Sequence, residues 1–136
     1  MTGTLAFIRL GRPHFLAGGF VLHGLGVAMA LYSGASLSVP ALLWGQVAIT
    51  ATQWMTHYSN EFFDLSADRA NPTPTRWAGG SRVLPAGDLS PRIALAASLV
   101  LGGLAVSATL VLALIIQPGP LTPGLLLLAL FLAWEY

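Results

Sequence analysis

Cysteine and lysine are both absent from this chain. Without cysteine there are no disulfides and no thiolate metal sites. Without lysine, the basic side chains are six arginines. Charge of either sign is scarce: 8% of the 136 residues are charged, where a soluble domain carries roughly 25%. Hydrophobic residues make up 55% of the chain. Such a chain is expected to be an integral membrane protein that crosses the bilayer several times. The first apolar run lacks a small-residue cleavage site before a polar mature domain, so it reads as a retained span. The net charge of +1 identifies no partner, and no nucleic-acid partner is expected.

Apolar runs between polar breaks predict an all-α, polytopic transmembrane bundle in one membrane domain, residues 1–136. Four spans are expected at about 13–32, 41–68, 91–116 and 121–136, each judged against the roughly 17–25 residues a helix needs to cross. Residues 1–12 form a short lead. Pro13 suits a first helical turn, where its missing N–H costs nothing. Gly18, Gly19, Gly24 and Gly26 give the first span a small face that a neighbouring helix can approach. His23, near its middle, is expected to bond a carbonyl or a facing side chain. Residues 33–39 and 117–123 are uncharged turns. Residues 69–90 form the longest polar segment, broken by proline and glycine. Ser90 and Pro91 then pair as N-cap and first-turn residue. The last apolar run, Gly124 to Trp134, is short for a span.

The arginines set the orientation. Arg9, Arg12, Arg69, Arg76, Arg82 and Arg92 all fall on one side of the predicted bundle. The two opposite connections carry no charge. By the positive-inside rule the N-terminus and the 69–90 loop face the cytoplasm or its topological equivalent.

Three of the five acids lie in Ser59-Asn60-Glu61-Phe62-Phe63-Asp64-Leu65-Ser66-Ala67-Asp68. Asn60, Asp64 and Asp68 are spaced by fours. On a helix they form a ladder of oxygen ligands about 6 Å apart, with Glu61 beside it. Such a ladder suits Mg²⁺. Gln46, Thr50, Gln53 and His57 fall on the same side of the helix, within an arc of about 100°. A polar stripe inside a span faces protein or a wet cavity, since lipid cannot satisfy it. For Gln46 and Thr50, bonding between helices explains the stripe. Two carboxylates one turn apart repel, so Asp64 and Asp68 call for a cation or the loop arginines. A merely solvated helix end is the blander account of the acids. Arg76 and Arg82, in a Gly-Gly-Ser loop, suit a phosphate held by forked guanidinium bonds. Simple positive-inside anchoring explains them equally well.

These motifs resemble a known family. Asn60-Glu-Phe-Phe-Asp64-Leu-Ser-Ala-Asp68 resembles the first aspartate-rich motif, N-D/E-x-x-D-x-x-x-D, of the UbiA superfamily of intramembrane prenyltransferases. Arg82-Val-Leu-Pro85-Ala-Gly87 resembles its R-x-L-P-x-G segment, and Arg12-Pro13 the R-P pair that opens its first helix. The resemblance implies an all-helical fold of about nine spans. It also implies Mg²⁺, a prenyl diphosphate donor and a hydrophobic acceptor, usually aromatic, as in quinone-type lipid synthesis. Carried over by position, Asn60, Asp64 and Asp68 are the catalytic set that holds Mg²⁺ on the diphosphate. Arg82 contacts the diphosphate; Arg76 is grouped with it as substrate-binding from its place in the same loop. Glu61 stands at a position that is often Asp and is grouped with the substrate-binding residues. His57, one turn inside Asn60, could bind or deprotonate the acceptor; a supporting structural role is the favoured reading of it.

One departure matters. The family carries a second motif, D-x-x-x-D, in a later cytoplasmic loop, and only Asp88 and Glu135 follow the first motif here. The chain is therefore expected to be the N-terminal half of a longer enzyme, inactive alone and partnered by C-terminal helices of the same enzyme. The rival from another class is a small four-span dimerising transporter or channel subunit, with Asp64 or Glu61 as its coupling acid. A structural membrane subunit would explain the stripe and leave the ladder unexplained.

Overall fold

A computed structural model describes residues 2–75 and 79–135. Its described residues are helical or connecting, with no strand among them. In chain order the helices are α1 (Gly3–Leu10), a 3-10 turn (Pro13–Leu16), α2 (Ala17–Tyr32), α3 (Val39–Phe63), α4 (Leu65–Ala70), α5 (Pro91–Val111) and α6 (Leu121–Glu135). A π-helical turn, Leu112–Ile116, prolongs α5.

The residues that start and stop these helices have ordinary physical reasons. Ser38 accepts the Ala41 N–H, and proline follows in the first turn of α3. Ser90 accepts the Arg92 N–H, with Pro91 as the first residue of α5. The N-terminal lead is itself a helix. Leu10 ends it, Gly11 caps it, and Arg12 turns the chain in the left-handed region at φ 43° before Pro13.

α3 is the central element, packed along α5. Ala48 and Ala51 of α3 and Ala94, Ser98, Ala105 and Ala108 of α5 are all buried. Small side chains let two backbones approach closely, which is how helices associate where no hydrophobic driving force separates protein from lipid. Hydroxyls on these helices bond their own backbone. Thr52, Thr56 and Ser59 donate to the Ala48, Thr52 and Thr56 carbonyls, and Ser98 and Thr109 to those of Leu95 and Ala105. No hydroxyl among these asks lipid for a partner.

Against the other side of α3, α2 fits by two glycines. Gly19 lies where a Cβ would overlap the Gln53 side chain. On the other helix, Gly45 makes room for the His23 ring. His23 Nδ1 meets Gln46 Oε1 at 2.9 Å, and Gln46 Nε2 donates to Thr50 Oγ1 at 2.9 Å. The histidine thus has its expected partner.

Two helical stretches, Gly3–Tyr32 and Pro91–Ile116, are long and apolar enough to cross a membrane. The stretch Leu121–Trp134 is apolar and shorter. α3, at 25 residues, has the length, but its polar stripe keeps it out of that class. Val21, Leu22, Val100, Leu114, Ile115 and Phe131 point outward with more than half their surface uncovered. Water would penalise so much exposed apolar surface; lipid or further helices would not.

One end of the bundle is closed by a second core. Ala6 and Leu10 of α1, Tyr58 of α3, Ala94 of α5 and loop residues Val83 and Leu84 are buried together. Tyr58 stacks on Phe7 with ring centres 4.9 Å apart and donates its hydroxyl to the Phe7 carbonyl at 3.0 Å. Trp54 Nε1 donates to the Gly11 carbonyl at 3.2 Å. α1 is thereby pinned across the end of α3 that carries the acids.

Candidate active site

The acidic stretch is two helices. α3 ends at Phe63, Asp64 is the joint, and α4 begins at Leu65. The four-residue rhythm survives the joint: Asp64 N donates to the Asn60 carbonyl and Asp68 N to the Asp64 carbonyl, both at 2.8 Å. The three ladder residues have different surroundings. Asn60 is half-buried, Asp64 is exposed and Asp68 is buried.

Glu61 is the most enclosed acid of the group, with 1% of its side chain exposed. Its Oε1 accepts Arg12 Nη2 at 2.5 Å and the Ser81 N–H at 2.5 Å. Its Oε2 accepts the Ser81 hydroxyl at 2.8 Å. Arg12 and Glu61 also form an ion pair, with 26% of the Arg12 side chain exposed. One carboxylate therefore ties the start of the first span, the end of α3 and the motif loop.

The motif loop turns tightly. Arg82 is in the left-handed region at φ 65°. Its Nη1 donates to the Asp68 carbonyl oxygen. The next two residues, Val83 and Leu84, enter the core. Ala86 N bonds the Arg82 carbonyl at 3.2 Å, and Asp88 N bonds that of Val83 at 3.1 Å. Gly80, at φ 73°, brings its backbone against the Asp68 carboxylate, where a Cβ would overlap a carboxylate oxygen. The Gly-Gly-Ser segment is thus packed, and not the free wrap that its composition suggests.

Burial raises the Asp68 carboxyl above the ordinary carboxylate range, and the Glu61 and Asp64 charges push it further. Arg12 and Arg82 oppose that rise. Asp68 is thus a buried acid on which two further acids and two arginines act in opposite senses. Hard divalent cations take oxygen donors, and Mg²⁺ typically takes one or two protein carboxylates plus substrate phosphates. Among the described residues, no three histidines, aspartates or glutamates converge on one point. The donor set fits a metal completed by a phosphate, and would not make a closed protein cage.

Beside this acidic end lies a cavity of about 250 Å³ lined by Arg9, Arg12, His14, Phe15, Thr75, Gly80, Ser81 and Arg82. Basic side chains from α1, the 3-10 turn and the motif loop meet there. Of the residues that sequence alone points to as phosphate contacts, Arg82 lies here. Arg76 lies outside the described residues. Arg9 and His14 enter the cavity through the bend at Arg12, which no spacing rule announces. The Gly11-Arg12-Pro13 break was the one available signal. His57 faces the same region, with its ring 5.7 Å from that of Phe15. Further into the bundle, the Gln53 Oε1 is buried with no hydrogen-bond partner among the described residues.

The described residues form an all-helical bundle with an apolar outer surface and one end where acids and arginines meet. The family model described as the UbiA prenyltransferase family matches residues 20–136, and the chain belongs to that family. No curated protein and no solved structure matches it. Membership makes the chain membrane-integral and gives it a prenyltransferase-type function.

Proposed function

We propose that the protein transfers an isoprenyl group from a prenyl diphosphate to a hydrophobic, aromatic acceptor of the lipid-quinone type. The observation that supports this reading most is the meeting of Asp64 and Asp68 with Arg12 and Arg82 at one end of the bundle. Mg²⁺ held there would neutralise diphosphate charge and so favour ionisation of the allylic C–O bond. Asn60 and Asp64 offer oxygen donors toward that charge, and Asp68 offers a third from a buried position. Arg82, with Arg76, takes up the negative charge that grows on the departing diphosphate. Apolar helices keep water from the allylic cation until an electron-rich acceptor carbon traps it, and that carbon then gives up its proton to a base such as the released diphosphate. His57 sits one turn inside Asn60, where it can orient the acceptor. The motif loop and the N-terminus lie on the cytoplasmic side, by the arginine asymmetry.

A dimerising transporter with Glu61 as coupling acid fits less well, because both Glu61 oxygens are engaged by Arg12 and Ser81. The test is Asp64→Ala in the full-length protein. Mg²⁺-dependent prenyl transfer is expected to fall by about 100-fold or more, the order reported for loss of one charge-stabilising group. Membrane insertion should be unaffected. Unchanged turnover would refute the reading.

A further inference from the structure

We infer that Glu61 is a positioning residue and not a ligand of metal or substrate: its carboxylate locks the Arg82 loop and the Arg12 bend into the shape the site requires. The inference rests on the proposed prenyl transfer for its consequence, and on geometry for its substance. Glu61 follows Asn60 directly, so on the helix it points about 100° away from it. That turn aims it at α1 and the loop. Both oxygens accept bonds from protein donors, one from Arg12 and the Ser81 backbone, the other from the Ser81 hydroxyl. A carboxylate with 1% exposure and such bonds has little capacity left for a cation in solvent contact.

What it holds is strained. Arg12 and Arg82 are the non-glycine residues with positive φ among those described, at 43° and 65°. Left-handed backbone at a bulky residue persists only when its surroundings over-determine it. Glu61 supplies that for both. It bonds the Arg12 side chain directly, and it bonds the Ser81 backbone one residue before Arg82. Ser81 Oγ also accepts the Val83 N–H at 3.2 Å, which carries the constraint across Arg82. The Arg82 guanidinium is then delivered to the Asp68 carbonyl. Glu61 is thus engaged by Arg12 and Ser81, and the proposed ion ligands are Asp64 and Asp68 with Asn60.

The experiment compares Glu61→Gln and Glu61→Asp in the full-length protein, with two kinds of readout. The first is trypsin cleavage after Arg82, followed by mass spectrometry of the fragment beginning at Val83. Val83 is buried, so cleavage requires the loop to open. Glu61→Gln is expected to speed it about tenfold, a shift of roughly one decade in the open population. Glu61→Asp, which keeps the charge, is expected to fall between it and the wild type. The second readout is kinetic: KM for the prenyl diphosphate rises about tenfold in Glu61→Gln, while the half-saturating Mg²⁺ concentration moves by less than about twofold. Cleavage at the wild-type rate would overturn the inference, as would a tenfold shift in Mg²⁺ dependence with the loop still closed. If Glu61→Gln does not fold, Glu61→Asp decides by the same two criteria. Should no prenyl transfer be found in the wild type, the cleavage readout still stands, so the two proposals fail separately.

Discussion

Arg12 Nη2 reaches Glu61 Oε1 at 2.5 Å across 49 positions of chain. The pair joins the bend before the first span to the acidic end of α3, and its carboxylate is almost wholly removed from solvent. Breaking such a pair from one side leaves a buried charge uncompensated. Arg12→Ala is therefore expected to destabilise the folded protein by about 3 kcal/mol, the lower end for a buried pair because Arg12 is partly exposed. Thermal unfolding in detergent measures this. Adding Glu61→Gln to Arg12→Ala should recover part of the loss, since the stranded charge is then gone.

Two glycines of the motif loop separate strain from contact. Gly80 and Gly87 both have positive φ, at 73° and 76°, but only at Gly80 would a Cβ meet the Asp68 carboxylate. Gly87→Ala should cost about 1 kcal/mol of stability, the price of left-handed backbone alone. Gly80→Ala should cost more and also lower prenyl transfer, because Asp68 must move. Equal effects at the two sites would show that the Gly80–Asp68 approach does not matter.

The Gln53 oxygen, buried without a hydrogen-bond partner among the described residues, makes the opposite kind of prediction. A buried polar atom without a hydrogen bond is unfavourable, by roughly 1–3 kcal/mol. Gln53→Met keeps the volume and removes that atom. It is expected to raise the melting temperature slightly, or at least not to lower it. A clear destabilisation would mean that Gln53 has a partner in the membrane-embedded protein.

Leu84 anchors the motif loop in the core beneath α1. Leu84→Ala is expected to cost about 2–5 kcal/mol, as for other buried leucines. It should also speed cleavage at Arg82, because the loop loses its apolar anchor as well as packing. Urea or thermal unfolding gives the first value and the Val83-starting fragment the second.

Much of the bundle is legible in local chemistry. Ser90, followed by Pro91, announces the start of α5, because a side-chain cap and a residue with no N–H to satisfy are local properties. The small face expected of the first span is realised at Gly19, against Gln53, while Gly18, Gly24 and Gly26 meet no neighbour among the described residues. The break at Asp64 is not announced: Phe62 to Leu65 contains neither proline nor glycine. A helix read straight through it puts Asn60, Asp64 and Asp68 in one environment, where the structure gives them three. The bridging role of Glu61 was also hidden. It depends on Arg12 and Ser81, 49 and 20 positions away, and no periodic pattern links residues at such distances. Gly79-Gly80-Ser81 reads as flexible by composition, while its place in the fold is set by contact with Asp68 and Glu61.

The central claim is that Asn60, Asp64 and Asp68 hold a divalent cation against a diphosphate. Mn²⁺ in place of Mg²⁺ gives a direct view by electron paramagnetic resonance. The full-length protein would be titrated with Mn²⁺ in the presence and absence of an unreactive prenyl thiodiphosphate. Binding should require the diphosphate, because the protein donors alone do not complete a site, and Asp64→Ala should abolish it. Mn²⁺ binding that is unchanged by Asp64→Ala, or that ignores the diphosphate, would contradict the account.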